Sequence, residues 1–336
     1  MSGSRLRIGV SGCGGIASCI FKECQGLECI EVVAGYDPNP SKMAAFQEVA
    51  PCEIAATYED LLSRKDIDAI VLAAPPRERV SQALQAAAAG KAVFSEKPLA
   101  LSVHDANGIV TACRKAGVPL MVGQVLRYFG GFRGMAEKVR AGEYGEIRAL
   151  QVNRISGPFP DFYRDAWRLK KETSGGLLFE VHVHELDLSR YLCGNPKRVL
   201  AASKRIGQDP ETDYKDLYMG TIEFENGALG QYHFSHISAQ GETSIRVFLD
   251  KGVARAGFGG AWFQPWEGDE VEIPASGDEE AAYRHEIRLF AEAVLRNEPV
   301  AIPGEEGLWS VAMAEAMEKS AEKAVPVEIV NPIQST

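Results

Sequence analysis

The chain has 336 residues, 46% of them hydrophobic and 24% charged, a globular composition that suits two domains. It excludes a disordered tail, a collagen-like repeat and a disulfide miniprotein. Lys and Arg number 36 against 46 Asp and Glu, so the formal charge is −10 and the chain lacks the basic surplus of a nucleic-acid binder.

The opening "RLRIGVSGCGGIASCI" has a basic start, but Gly9, Gly12, Gly14 and Gly15 break its apolar part, so it reads as strand and turn rather than signal peptide. Leu6 to Val10 is the first strand, a helical stretch runs from about Ile16 to Gln25, and "CIEVVAGYD" is the second strand. Further strands fit "CEIAATY", "DAIVLAAP", "KAVFSEKP" and "VPLMVG", each after a stretch of helical periodicity. Strands apolar on both faces and alternating with helices predict a doubly wound parallel sheet over residues 1–123.

After Gly123 the runs lengthen and alternate apolar with polar residues: "GEIRALQVNRIS", "KRVLAASKRI", "DLYMGTIEFENGALGQYHFSHIS", "TSIRVFLDKGVARA" and "DEVEIP". These predict a large open, mostly antiparallel sheet in an α/β domain over residues 124–336, with a turn at Glu225-Asn226-Gly227. Helices are expected at about Gly176 to Cys193, Ala282 to Arg296 and Glu306 to Lys323. No apolar stretch approaches a membrane span. The seven cysteines (Cys13, Cys19, Cys24, Cys29, Cys52, Cys113, Cys193) are odd in number and form no CxxC pair, which predicts reduced, buried thiols in a cytoplasmic protein.

"GCGGIA" places Gly12, Gly14 and Ala17 between the first strand and its helix. Gly12 permits a sharp turn, Gly14 lets backbone approach a pyrophosphate, Ala17 lets helix and strand pack closely, and the helix N-terminus offers N–H groups to the anion. Asp37 ends the second strand, where a carboxylate binds ribose hydroxyls; the alternative is that it caps the turn "DPNP". A carboxylate there repels a 2′-phosphate, so NAD is expected over NADP, with Lys42 the one nearby cation that weakens the preference.

Glu96, Lys97 and Pro98 close the fifth strand, whose carboxyl end faces the ligand crevice of a parallel sheet. A snorkelling surface lysine is the competing reading of Lys97. In "SGGLLFEVHVHELDLSRYL", Glu180, His184 and Asp187 fall at i, i+4 and i+7 on one helical face, with His182 pointing elsewhere. A histidine beside a carboxylate is a natural proton acceptor. A metal pair is the alternative, but no further ligands appear at recognisable spacing, and no metal is expected. "PDFYRDAWRLKK" adds Tyr163, Arg164, Trp167, Arg168 and Lys170, suited either to a hydroxylated ring or a carboxylate, or to plain loop packing.

Taken together, "GCGGIA", Asp37, "AAPP", "GKAVFSEKPLALS", "VGQVLRY", the Glu180–His184 helix and "GLWSVAMAEAMEKSA" resemble the Gfo/Idh/MocA (glucose–fructose oxidoreductase / inositol dehydrogenase) family over nearly the whole chain. The resemblance implies an NAD-dependent dehydrogenase acting on a secondary hydroxyl of a sugar, polyol or sugar acid, forming homodimers or homotetramers. It implies Lys97 at substrate and nicotinamide, His184 as acid/base and Glu180 in the place of the usual aspartate. The cofactor would meet Gly12, Gly14, Gly15, Ile16 and Asp37, and further along Ala74, Pro75, Arg79, Glu96, Lys97 and Gln124. Substrate would meet Lys97, His184, Arg127, Tyr163, Trp167, Arg168 and Tyr283. Three positions depart from the family's habit: Glu180 for aspartate, Arg79 for histidine and Ala74 for threonine. Two other readings remain: a glycosidase that uses bound NAD transiently, and a non-catalytic NAD-binding regulator. Neither nucleic acid nor membrane is an expected partner.

Overall fold

The computed structural model describes residues 5–207, 209–275 and 280–333. The chain divides into two compact units, Met1–Val125 with Glu280–Leu308, and Leu126–Glu279 with Trp309–Thr336.

The first unit runs β1 (Leu6–Ser11), α1 (Gly15–Glu23), β2 (Ile30–Tyr36), α2 (Pro40–Val49), β3 (Glu53–Ile54), α3 (Tyr58–Ser63), β4 (Ala69–Leu72), α4 (Pro76–Ala88), β5 (Ala92–Glu96), α5 (Val103–Ala116) and β6 (Leu120–Gly123). The six strands are parallel in the order β3-β2-β1-β4-β5-β6, so the chain winds outward both ways from β1 and β4. Strands β4, β5 and β6 are buried at every residue, as continuous apolar runs covered by helices require. Capping follows the sequence: Ser102 accepts the Asp105 N–H at the start of α5, and Gly117 at φ +68° closes that helix. The strand expected in "CEIAATY" shrinks to two exposed residues, because the Thr57 hydroxyl accepts the Asp60 N–H and turns the chain into α3.

The second unit contains α6 (Gly130–Arg140), β7 (Ile147–Ile155), α7 (Lys171–Ser174), a π-helical turn (Leu178–His182) that continues as α8 (Val183–Cys193), then β8 (Pro196–Lys204), β9 (Leu217–Phe224), β10 (Leu229–Ser235), β11 (Glu242–Leu249), β12 (Gly252–Gly257), β13 (Gly260–Pro265) and β14 (Val271–Ile273). After α9 (Ala282–Arg296), which belongs to the first unit, come α10 (Gly304–Lys323) and β15 (Val327–Glu328). Nine strands pair in the order β14-β13-β12-β11-β7-β10-β9-β8-β15. All pairs are antiparallel except β10 with β7, which the excursion through α8, β8 and β9 brings back parallel. Gly227 at φ +86° makes the expected turn between β9 and β10. One sheet face is core, with Ile222, Phe224, Tyr232, Phe234, Val152 and Val247 buried; the other shows Leu200, Met219, Leu229 and Phe248.

The units do not follow a single cut near Gly123: α9 packs with the first, where Phe290 meets Phe94 edge-on at 5.6 Å between ring centres. All seven cysteines are free thiols, but Cys19 is exposed and Cys29 and Cys52 are half-buried, against the expectation of uniform burial. No helix among the described residues is long and apolar enough to cross a membrane.

Candidate active site

In the first unit, β1 delivers the chain into the glycine turn at the carboxyl edge of the sheet. Gly12 sits at φ +85°, and a Cβ there would collide with the Ala74 backbone, so the turn tolerates no side chain. A Cβ on Gly15 would meet nothing within 4 Å, and one on Gly14 only the Lys42 stem at 3.8 Å. Gly14 is the N-cap of α1 and supplies no side-chain cap, nor does the first turn hold an acid. Ala17 is fully buried. Open space before a helix start without a side-chain cap fits a pyrophosphate, as the spacing of small residues predicts.

Asp37 makes the turn contact of its alternative reading and also reaches the glycine turn. Its Oδ2 accepts the Cys13 N–H at 3.0 Å, and its Oδ1 accepts the Asn39 N–H at 2.8 Å. The carboxylate thus ties the end of β2 to the glycine turn, and a carboxylate has lone pairs left for ribose hydroxyls.

Farther along the same edge, Glu96 and Pro98 are buried while Lys97 between them is half-buried, and the Lys97 N–H donates to Glu96 Oε2 at 3.2 Å. Arg79, in the first turn of α4, is buried and turned inward. Its guanidinium donates to the Ala74 carbonyl at 2.9 Å and to the Pro98 carbonyl. It therefore straps the ends of β4 and β5 together. Gln124 is buried just beyond β6, its N–H bonded to the Val122 carbonyl at 2.9 Å. Tyr283 opens α9 with its N–H on Glu23 Oε2 at 3.0 Å; burial first, then the charge of Glu96, raises its phenol.

In the second unit, α8 is buried almost throughout: of residues 176–189, His184 is the one that is not fully buried. The turn leading into it is π-helical, a feature that recurs at functional sites. Glu180, on that turn, is 4% exposed, and its Oε1 accepts both the Tyr163 hydroxyl and Arg168 Nε at 3.0 Å. The Arg168 guanidinium lies 4.0 Å from the Tyr163 ring centre and 4.3 Å from that of Trp167, so the three expected substrate residues form one stack on Glu180. Arg127 is likewise committed: with 6% of its side chain exposed, it makes a two-pronged pair with Asp187 (2% exposed) at 2.6 and 2.7 Å. The pair ties the segment after β6 to α8.

A buried group that sequence reasoning did not single out lies beside α8. His182 stacks on Phe234, ring centres 4.1 Å apart at 2°, with His236 edge-on at 5.4 Å. Glu185 lies 3.4 Å from Arg154 and 3.9 Å from His182. Burial raises the Glu185 carboxyl, but Arg154 and His182 outweigh it and hold it below the usual carboxylate range. His182 of "EVHVHE" and His236 of "HFSHIS" were the available signal, though nothing local marks a pairing between such distant segments. Among the described residues no three His, Cys, Asp or Glu side chains gather where they could hold a metal.

A doubly wound sheet with an anion-ready glycine turn and a carboxylate after its second strand, carried with a second unit built on a large open sheet, defines a dinucleotide-binding oxidoreductase. The model for the oxidoreductase family's NAD-binding Rossmann fold matches residues 6–124, and that for the GFO/IDH/MocA C-terminal domain matches residues 132–255. The chain belongs to the Gfo/Idh/MocA family and is an NAD-binding oxidoreductase. It is 28% identical to the 1,5-anhydro-D-fructose reductase of Ensifer adhaerens, over 89% of this chain and 91% of that one. It is 26% identical to the myo-inositol 2-dehydrogenase of Thermotoga maritima, over 96% and 98%. Among solved structures, the WlbA dehydrogenase of Bordetella pertussis in complex with NADH and UDP-GlcNAcA superposes with a TM-score of 0.85 at 25% identity, covering 98% of this chain and 99% of that one.

Proposed function

We propose that the chain is an NAD-dependent dehydrogenase of a secondary hydroxyl on a sugar or polyol, with His184 as proton acceptor and Lys97 as the cation at the reacting oxygen. The observation that carries the reading is His184, the one residue of the run 176–189 that is not fully buried. Gly12, Gly14, Gly15, Ile16 and Asp37 would hold the dinucleotide, which supplies the hydride acceptor when bound. His184 takes the hydroxyl proton, the Lys97 ammonium steadies the alkoxide, and Glu180, itself held by Tyr163 and Arg168, holds the His184 imidazole. Relatives named for anhydrofructose and myo-inositol support a polyhydroxylated substrate.

The test is Lys97→Ala. NAD affinity is expected to stay within a few-fold, while kcat falls by about 100-fold or more, within the usual range for a positioned acid–base or charged group. Turnover that survived within a few-fold would refute the assignment, and product formed without accumulating NADH would favour a transient oxidation instead.

The reading includes a homo-oligomer and a cytoplasmic setting. Supporting the oligomer, Leu229, Ala149 and Phe248 align across three neighbouring strands on the exposed sheet face, and Leu200 and Met219 are exposed farther along the same face. Supporting the setting, none of the seven thiols is bridged.

A further inference from the structure

Residues 156–174, between β7 and the π-helical turn, lie in no strand, so turns and side-chain ties set their place. Two sets of ties hold this strap. In the first, the Tyr163 hydroxyl and Arg168 Nε meet Glu180, and Arg168 stacks on Trp167. In the second, Arg164 donates to both Asp209 and Glu211, Lys170 Nζ donates to the Glu211 carbonyl at 2.7 Å, and the Lys171 N–H donates to Asp213 Oδ1 at 2.6 Å. The hydrogen bond from Arg164 holds the Asp209 carboxyl below the usual carboxylate range, so this clasp is charged at neutral pH. Asp213 leads into Tyr214, which is buried with Leu177 and Val181 and packs so closely on Gly176 that a Cβ there would meet it at 3.1 Å. The strap is thus clasped to a segment that is itself seated beside the turn carrying Glu180.

We infer that Arg164 is a positioning residue for substrate: its clasp on Asp209 and Glu211 holds the strap so that Tyr163, Trp167 and Arg168 keep their places around Glu180. The inference rests on the dehydrogenase reading above, with those three side chains on the substrate's side of the chemistry. The two sets of ties differ in kind. Glu180 is nearly fully buried, whereas the clasp lies at the surface, with the Glu211 side chain 63% exposed. Surface pairs are individually weak and screened by salt, but several on one short segment act together. Opening them loosens a stretch that has no ladder bonds of its own and leaves the sheet core intact. A binding face that is ordered only part of the time lowers apparent affinity in proportion, without altering the chemistry once substrate is bound. The clasp therefore governs KM rather than kcat.

The experiment uses the full chain at saturating NAD with whichever of glucose, galactose and myo-inositol is used best, all uncharged so that salt acts on the protein. Two variants open the clasp from either side: Arg164→Met, and Asp209→Asn combined with Glu211→Gln. Each is expected to raise KM about tenfold, with kcat and the NADH Kd within about twofold. Arg164→Lys, which keeps the charge but not the forked reach, should recover part of the loss. Added salt should raise the wild-type KM and move that of the double variant little. Apart from activity, trypsin should cut the unliganded double variant about tenfold faster at Arg164, Arg168, Lys170 and Lys171, while thermal unfolding stays cooperative. An unchanged KM, whatever the cutting, or a fall in kcat at constant KM would overturn the inference. Loss of NADH binding would overturn it too, since that marks a general structural role. If Arg164→Met fails to fold, the double variant decides. A wild type that binds NADH yet oxidises none of the three fails the dehydrogenase reading, and the positioning role falls with it; an active wild type with indifferent variants fails this inference alone.

Discussion

His236 is a histidine kept uncharged by its surroundings. It is buried against His182 and Phe159, and burial, helped by the charge of Arg154, depresses its pKa to about 3, with Glu185 opposing. The unfolded chain binds a proton there near pH 6.5 and the folded chain does not until near pH 3. The unfolded state therefore holds more protons between those values, and stability falls as the pH drops through that window. Each pH unit below 6.5 is expected to cost about 1.4 kcal/mol from this group. Urea unfolding at pH 7 and pH 5 measures the slope, and His236→Phe should flatten it. An unchanged slope would mean that other groups govern the acid response. The Arg127–Asp187 pair is the opposite case, two charges buried together. Asp187→Ala should destabilise by about 3–5 kcal/mol, because it strands a buried guanidinium, whereas replacing both by Met and Leu should cost far less. Equal losses from single and double variants would show that packing, not charge, is the issue.

At the level of elements, the second unit's long helix is held by ion pairs at three heights. Tyr163 and Arg168 take its π-helical entry, Arg154 takes Glu185, and Arg127 takes Asp187 two residues later. None of these pairings was legible in the sequence, although the helix itself was. Apolar periodicity announces α8, and a Gly-rich turn followed by an acid announces the nucleotide end of the sheet, because both signals are local. Ala282–Arg296 was likewise readable to the residue from its amphipathic pattern. Arg127 and Asp187 lie 60 positions apart, and local patterning says nothing about which guanidinium reaches which carboxylate. The same limit applies to Arg79: its place in the chain suggested the cofactor, and only the adjacency of β4 and β5 shows that it clasps two strand ends. Strand β13 was missed because its six residues sit between glycine turns. The parallel pairing of β10 with β7 was missed because it depends on a long excursion.

At the scale of the molecule, the exposed apolar row on the nine-stranded sheet sets an expectation for assembly. Multi-angle light scattering should report a dimer or tetramer, and Leu229→Glu with Phe248→Glu should reduce it to a monomer that still binds NAD. A wild-type monomer at micromolar concentration would dispose of the oligomer. The route of the chain carries a separate consequence. Helix α9 comes from far downstream yet belongs with the nucleotide-binding sheet, where Phe290 is fully buried against Phe94. A fragment ending at the last parallel strand would thus lack part of its own core, leaving an aromatic socket open to water. The cofactor half is not a detachable cassette: it is finished only after the ribosome has made the other half, so early folding on the nascent chain must wait for a late-arriving piece.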